Sequence, residues 1–145
     1  MEELCDEEQS LVKAAIAATE NAYAEYSHFY VGAALLLDGG VVVVGANQEN
    51  ASFPLGLCAE RSAIFGAQSN YPDRAIKTIA IAARNENGLL HNPVSPCGGC
   101  RQVILGIEDR YKKPIRILLY GTDGIYCLEK ATDLMPLCFV DACMH

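Results

Sequence analysis

The stretch FYVGAALLL (Phe29–Leu37), DGG (Asp38–Gly40) and VVVVGA (Val41–Ala46) decides the fold. Two apolar runs rich in β-branched and aliphatic residues flank an Asp-Gly-Gly turn, which reads as a β-hairpin of adjacent antiparallel strands. The turn also breaks the longest apolar run in the chain well short of a membrane span. Upstream, Leu11, Val12, Ala15, Ile16 and Ala22 recur at three-to-four-residue spacing behind Asp6, a candidate cap, and predict a helix over Glu7–Tyr23. Tyr26-Ser27-His28 reads as a loop between the two.

Downstream, Asn47–Leu57 is irregular and leads into a helical string from Cys58 through Ala67. Ile76–Ala83 reads as a third strand, Arg84–Gly88 as a polar turn, and the following loop closes at Pro93 and Pro96. Cys97-Gly98-Gly99-Cys100 opens a further helix that continues through Ile107. After a turn at Tyr111–Pro114 come strands at Ile115–Tyr120 and Ile125–Leu128, joined by Gly121-Thr122-Asp123-Gly124, and a short helix at Thr132–Met135 that stops at Pro136. The order αββαβαββα predicts a three-layer α/β/α sandwich around a five-stranded mixed sheet, within one domain spanning 1–145.

Composition narrows the function. The chain has 145 residues, 51% of them hydrophobic and 20% charged, which excludes disordered, collagen-like and coiled-coil classes. Its 11 Lys and Arg against 18 Asp and Glu give a net charge of -7, a sign that repels phosphate backbones and argues against nucleic acid as a partner. No segment is suited to cross a membrane. Glu2, Glu3, Asp6, Glu7 and Glu8 reverse the basic start of a signal peptide, so the expected location is the cytoplasm. Seven cysteines in a reducing compartment are better explained as free or metal-bound thiols than as disulfides.

Three of these cysteines carry a chemical pattern: Cys58 in Cys-x-Glu at one helix start, and Cys97 and Cys100 in Pro-Cys-x-x-Cys at another. Helix N-termini lower thiol pKa, and two sulfurs three residues apart in a first turn can face one metal. Three sulfur ligands leave one tetrahedral position of zinc open, the arrangement of a catalytic centre. Glu60, two residues after Cys58, can place a carboxylate beside that position and serve as general base toward the activated water and general acid toward substrate. Three thiolates overcompensate a divalent cation, and Arg61 is placed to donate to them and withdraw charge. The blander readings are a redox Cys-x-x-Cys pair and a Glu60 that merely complements a helix dipole; the joint pattern outweighs both. Cys5, Cys127, Cys138 and Cys143 read as core or tail thiols, and His28, His91 and His145 as loop or terminal residues.

This set is the three-cysteine form of the zinc nucleobase-deaminase signature. Together with Tyr26-Ser27-His28-Phe29, Val31-Gly32-Ala33-Ala34, Asn47-Gln48-Glu49-Asn50-Ala51, Pro54–Arg61 and Ser95–Gln102, it closely resembles the small homotetrameric cytidine deaminases from about Ala14 to Phe139. The resemblance implies one zinc ion per chain, a nucleoside substrate, hydrolytic loss of its amino group, and active sites shared between subunits. It also implies that Asn47 and Glu49 hold the ribose 3'-hydroxyl and that Phe29 stacks on the pyrimidine. The backbone of Ala59 and the carbonyl of Ser95 would contact the base, while Phe139 and the Phe53 loop would reach a neighbouring subunit's site. Phe53 stands where relatives often carry Tyr, which leaves out a hydroxyl for the sugar's 5'-position. The absence of a basic cluster beside these motifs favours a nucleoside over a nucleotide. Two other readings stand beside this one: a blasticidin-S-type deaminase sharing Cys-Ala-Glu and Pro-Cys-x-x-Cys, and a non-catalytic zinc or redox module.

Overall fold

The structure, a computed structural model, describes residues 1–145. Helix α1 spans Asp6–Ala18, strand β1 Tyr30–Leu37, β2 Val42–Ala46, helix α2 Ala59–Asn70, β3 Ile76–Asn85, β4 Gly88–Leu89, helix α3 Gly98–Tyr111, β5 Arg116–Gly121 and β6 Gly124–Leu128. The main sheet runs β2-β1-β3-β5-β6, with β4 paired to the end of β3. All neighbours are antiparallel except β3 and β5, the pair whose connection contains α3.

The sandwich follows from period-two alternation along strands buried on both faces. Ala33, Leu35, Leu37, Ile79, Ile81, Ile117 and Leu119 face Ala63, Ile64, Ala67, Ile104 and Leu105 of α2 and α3. The intervening Ala34, Leu36, Ala80, Ala82 and Leu118 face Leu11, Val12 and Ala15 of α1. Two glycines let helices lie directly against strands. A Cβ on Gly32 would sit 2.1 Å from the Ala15 carbonyl oxygen of α1, and one on Gly45 would sit 2.5 Å from the Ala63 nitrogen of α2.

The expected five strands become six. The polar turn after β3 is tighter than its composition indicates: β3 runs on to Asn85, which pairs with Gly88 across Glu86 and Asn87, and Gly88 takes φ 110°. Helix α1 starts at Asp6 with Cys5 as its cap, the Glu8 side chain accepting from the Cys5 backbone. It ends five residues before the expected Tyr23. The Thr19 hydroxyl donates to the Ile16 carbonyl at 2.7 Å, a 3-10 turn follows over Thr19–Asn21, and Tyr23 leaves the helix to bridge to Gln48. The short helix near Thr132 is a 3-10 turn over Ala131–Leu134, and a second one over Asp141–Met144 closes the chain. No helix is long and apolar enough to cross a membrane.

Candidate metal centre and adjoining cavity

Cys58 is the N-cap of α2 and Cys97 the N-cap of α3, with Cys100 in the first turn of α3. Both helix starts therefore aim their positive ends and free N–H groups at one point. The three Sγ atoms lie within 4.8 Å of one another, and Cys58 Sγ is 4.0 Å from Cys97 Sγ. Tetrahedral zinc with Zn–S bonds of about 2.3 Å needs sulfurs about 3.8 Å apart, so the triad fits that ion. Of the seven cysteines, these three are the ones that converge. The Cys100 N–H donates toward Cys97 and holds its thiol below the ordinary range, whereas burial pushes the Cys100 thiol up. A cation among the sulfurs removes that conflict by favouring all three thiolates.

Arg61, one turn along α2, donates from Nη2 to Cys58 Sγ at 3.4 Å. Its Nε is the one buried side-chain polar atom with no hydrogen-bond partner, so the guanidinium has donor capacity left beside the sulfurs. Glu60 is buried, at 5% exposure, and burial raises its carboxyl pKa while Cys100 and Arg61 draw it back. A carboxyl so placed gains and loses a proton nearer neutrality than a surface Glu does.

A cavity of about 270 Å³ opens beside the thiols. Its wall brings together Phe29, Asn47, Glu49, Ala59, Glu60 and Ser95 with Cys58 and Cys97. Val31, Ile81 and Val94 complete its apolar side, and no Lys or Arg lines it. Asn47 and Glu49 also act within the chain. Asn47 Oδ1 accepts from the Val31 N–H at 2.8 Å and its Nδ2 donates to the Phe29 carbonyl at 2.9 Å. Glu49 Oε1 accepts from the N–H groups of Tyr26 and Ser27, and Oε2 accepts from the Ser27 hydroxyl. The Ser27 hydroxyl holds the Glu49 carboxyl below the usual carboxylate range, helped by the two N–H groups.

Phe139 is apart from this cavity: its side chain is 57% exposed and its carbonyl accepts from Gln102 Nε2 on α3. Phe53 is likewise exposed and packs edge-on against Tyr26, lining an adjacent cavity with Ser27, Glu49, Asn50 and Gly56. Motif reading missed Ile81 and Val94 in the wall, and it gave no role to Val31, which also lines it, or to Arg101, which anchors the Cys97 loop. Arg101 donates from Nε to the Pro96 carbonyl and from Nη1 to the Leu134 carbonyl, both at 2.9 Å. Its adjacency to Cys100 is the signal that could have found it.

The sequence model described as "Cytidine and deoxycytidylate deaminase zinc-binding region" matches residues 5–113, a span that contains all three thiols and the whole cavity wall. The chain belongs to the cytidine and deoxycytidylate deaminase family. Its cofactor is zinc, and Cys58, Cys97 and Cys100 are the cluster that could hold it. The chain is 51% identical over 96 residues to a cytidine deaminase of Halalkalibacterium halodurans, covering 66% of this chain and 68% of that one. It is 41% identical over 102 residues to a cytidine deaminase of Mycobacterium tuberculosis, covering 68% and 72%. Among solved structures it resembles cytidine deaminase from Burkholderia pseudomallei, with a TM-score of 0.78 and 40% identity over 90% of this chain and 98% of that one. It likewise resembles the Mycobacterium tuberculosis enzyme, with a TM-score of 0.71 and 31% identity over 94% and 98%.

Proposed function

We propose that the whole chain, 1–145, works as one cytidine deaminase domain that converts cytidine and deoxycytidine to uridine and deoxyuridine with release of ammonia, a step of pyrimidine salvage in the cytoplasm. The observation that carries this reading is the one cavity in which Glu60, Cys58 and Cys97 share a wall with the Phe29 ring and the polar side chains of Asn47 and Glu49. Phe29 offers a face for the pyrimidine, and Asn47 and Glu49 offer a donor and an acceptor for the ribose 3'-hydroxyl with the hydrogen-bonding capacity their internal bonds leave free. Ala59 and Ser95 line the same cavity, which supports the Ala59 backbone and the Ser95 carbonyl as contacts to the base. A cavity lined by no cation supports a nucleoside over a phosphorylated substrate.

Cys58, Cys97 and Cys100 would hold the zinc, which would supply Lewis-acid activation of a water at neutral pH. Glu60 takes the water's proton and delivers it to ring N3 as the oxygen bonds to C4. It then takes the remaining hydroxyl proton and passes it to the amino group, the C4–N bond breaks, and ammonia leaves. Its buried position keeps bulk water from competing for these transfers. Arg61 donates to Cys58 Sγ and so would draw negative charge from the thiolates that hold the ion.

A homotetramer with shared sites would cover Phe53, Leu55, Leu137 and Phe139, all large apolar side chains exposed in the isolated chain. A monomer in solution with full activity would sink that part of the reading. For the reaction, Glu60→Gln is the decisive variant: zinc retained, with cytidine turnover reduced by about 10⁴ or more, is the expected result. Turnover undiminished in Glu60→Gln would refute the assignment. A wild-type protein that deaminates blasticidin S in place of cytidine would move it to the neighbouring activity.

A further inference from the structure

Between the base side and the sugar side of the cavity runs a short chain of hydrogen bonds that the chemistry above does not use. The Phe29 N–H donates to Ser27 Oγ at 3.2 Å, and Ser27 Oγ donates to Glu49 Oε2. Both donors point toward the carboxylate, so each bond polarises the next. The Ser27 and Tyr26 N–H groups add 3.1 and 3.0 Å bonds to Glu49 Oε1, and the Phe29 carbonyl is held from the opposite side by Asn47 Nδ2 at 2.9 Å. Phe29 is thus pinned at its nitrogen through Ser27 and at its oxygen through Asn47. Glu49 is pinned at both oxygens, and two of its three hydrogen bonds come from Ser27, one from the N–H and one from the hydroxyl.

The loop has reason to need such a frame. His28, between Ser27 and Phe29, sits at φ 56°, in the left-handed region that is uncommon for a residue other than glycine and that surrounding contacts help to hold. Ser27 and Glu49 are also the two residues common to this cavity and the adjacent one that Tyr26 and Phe53 line, so they form the partition between them.

We propose that Ser27 is a positioning residue for substrate binding: its hydroxyl couples the Glu49 carboxylate to the Phe29 backbone, and so sets the sugar acceptor and the stacking ring in one frame. The proposal rests on the cytidine deaminase reading and on Glu49 meeting the 3'-hydroxyl. Removing the hydroxyl leaves Glu49 Oε2 and the Phe29 N–H without their protein partner, frees the carboxylate to turn to solvent, and lets the strained turn relax. Neither change reaches Glu60 or the thiols, so binding suffers and chemistry does not.

The test is steady-state kinetics of the zinc-loaded wild type, Ser27→Ala and Ser27→Thr with cytidine and its 3'-deoxy analogue. Wild type is expected to turn over cytidine and to prefer it to the analogue. Ser27→Ala is expected to raise KM for cytidine about tenfold or more with kcat within about threefold, and to lose most of that preference. Ser27→Thr, which keeps the hydroxyl at an exposed position, is expected to restore both. An unchanged KM and preference in Ser27→Ala, or a loss that Ser27→Thr shares, overturns the role of Ser27. A wild type that turns over no cytidine overturns the functional reading itself, and a wild type with no preference for the 3'-hydroxyl overturns the proposal through Glu49.

Discussion

Gly45→Ala tests how the sheet sets the metal centre. A Cβ at position 45 would lie 2.5 Å from the Ala63 nitrogen and 2.9 Å from both the Ala59 carbonyl oxygen and the Ala63 Cα. All three atoms are helix backbone, so no rotamer change relieves the contact. To reach the 3.4 Å at which ordinary contact begins, α2 must retreat from β2 by roughly 1 Å, most of it in its first turn. Overpacking of this kind costs about 1–3 kcal/mol, and unyielding backbone places the cost near 3. For a chain of this size that is roughly 6–12 °C in melting midpoint. The same retreat moves Cys58 and Glu60, which begin α2, relative to Cys97 and Cys100, which begin α3. A displacement of that order at reacting groups lowers the rate by about 10²-fold. Scanning calorimetry, zinc content after dialysis, and kcat/KM for cytidine measure the three effects together. Gly66→Ala in the same helix is the control: a Cβ there meets nothing within 4 Å, so the gain in helix propensity should stabilise by about 0.5–1 kcal/mol and leave the site intact. Equal melting points for Gly45→Ala and wild type would refute the argument that close approach of β2 sets the position of α2.

Arg61→Gln removes the donor at 3.4 Å from Cys58 Sγ, and should lower kcat/KM about 10- to 100-fold with weaker zinc retention; unchanged activity and zinc content would remove Arg61 from the site. Glu49 has its folded-state pKa depressed, first by the Ser27 hydroxyl, so its contribution to stability is present above the unfolded carboxyl value and is lost as pH falls through the lower folded one. Melting midpoints measured across the acid range should therefore fall less steeply for Glu49→Gln than for wild type, and parallel curves would contradict the assignment. Asn47→Ala strands the Val31 N–H and the Phe29 carbonyl, and should cost about 1–3 kcal/mol by denaturant titration, with a higher KM for cytidine; an unperturbed midpoint would show that the two bonds are not needed to hold β1 at the cavity.

The parts of the molecule legible in its sequence are those whose signal is a side-chain type at a fixed spacing. Near-continuous apolar runs in Phe29–Leu37 and Ile76–Ala83 placed the central strands, since residues buried on both faces must be apolar along their whole length. Cys58, Cys97 and Cys100 were legible for a different reason: a thiol at a helix start has few other uses there, and three of them with an adjacent Glu define a metal and a proton carrier together. The sixth strand was not legible, because a two-residue pairing of Gly88 and Leu89 with the end of β3 rests on backbone hydrogen bonds and a positive φ, which no periodicity announces. The end of α1 was hidden likewise: its alanine-rich pattern continues past Ala18, and what stops it is the Thr19 side chain turning back to Ile16 together with the strand pressed against it at Gly32.

The same distinction holds inside the site. The family resemblance assigns Asn47 and Glu49 to the ribose 3'-hydroxyl, yet each spends part of its hydrogen-bonding capacity on the loop that carries Phe29. An amide and a carboxylate have lone pairs and protons enough to do both, and the economy has a consequence. A substrate hydroxyl that meets Glu49 meets a carboxylate already oriented by three donors, so less motion is left to freeze when the nucleoside binds. The two helix starts do the corresponding work for the metal, holding three sulfurs in place and turning their N–H groups toward the negative charge that gathers there. On the proposed function, recognition of the sugar and retention of the ion would depend on backbone donors that no residue type specifies, and substitutions that shift the Tyr26–Phe29 loop or the α2 start should damage them without touching a ligand.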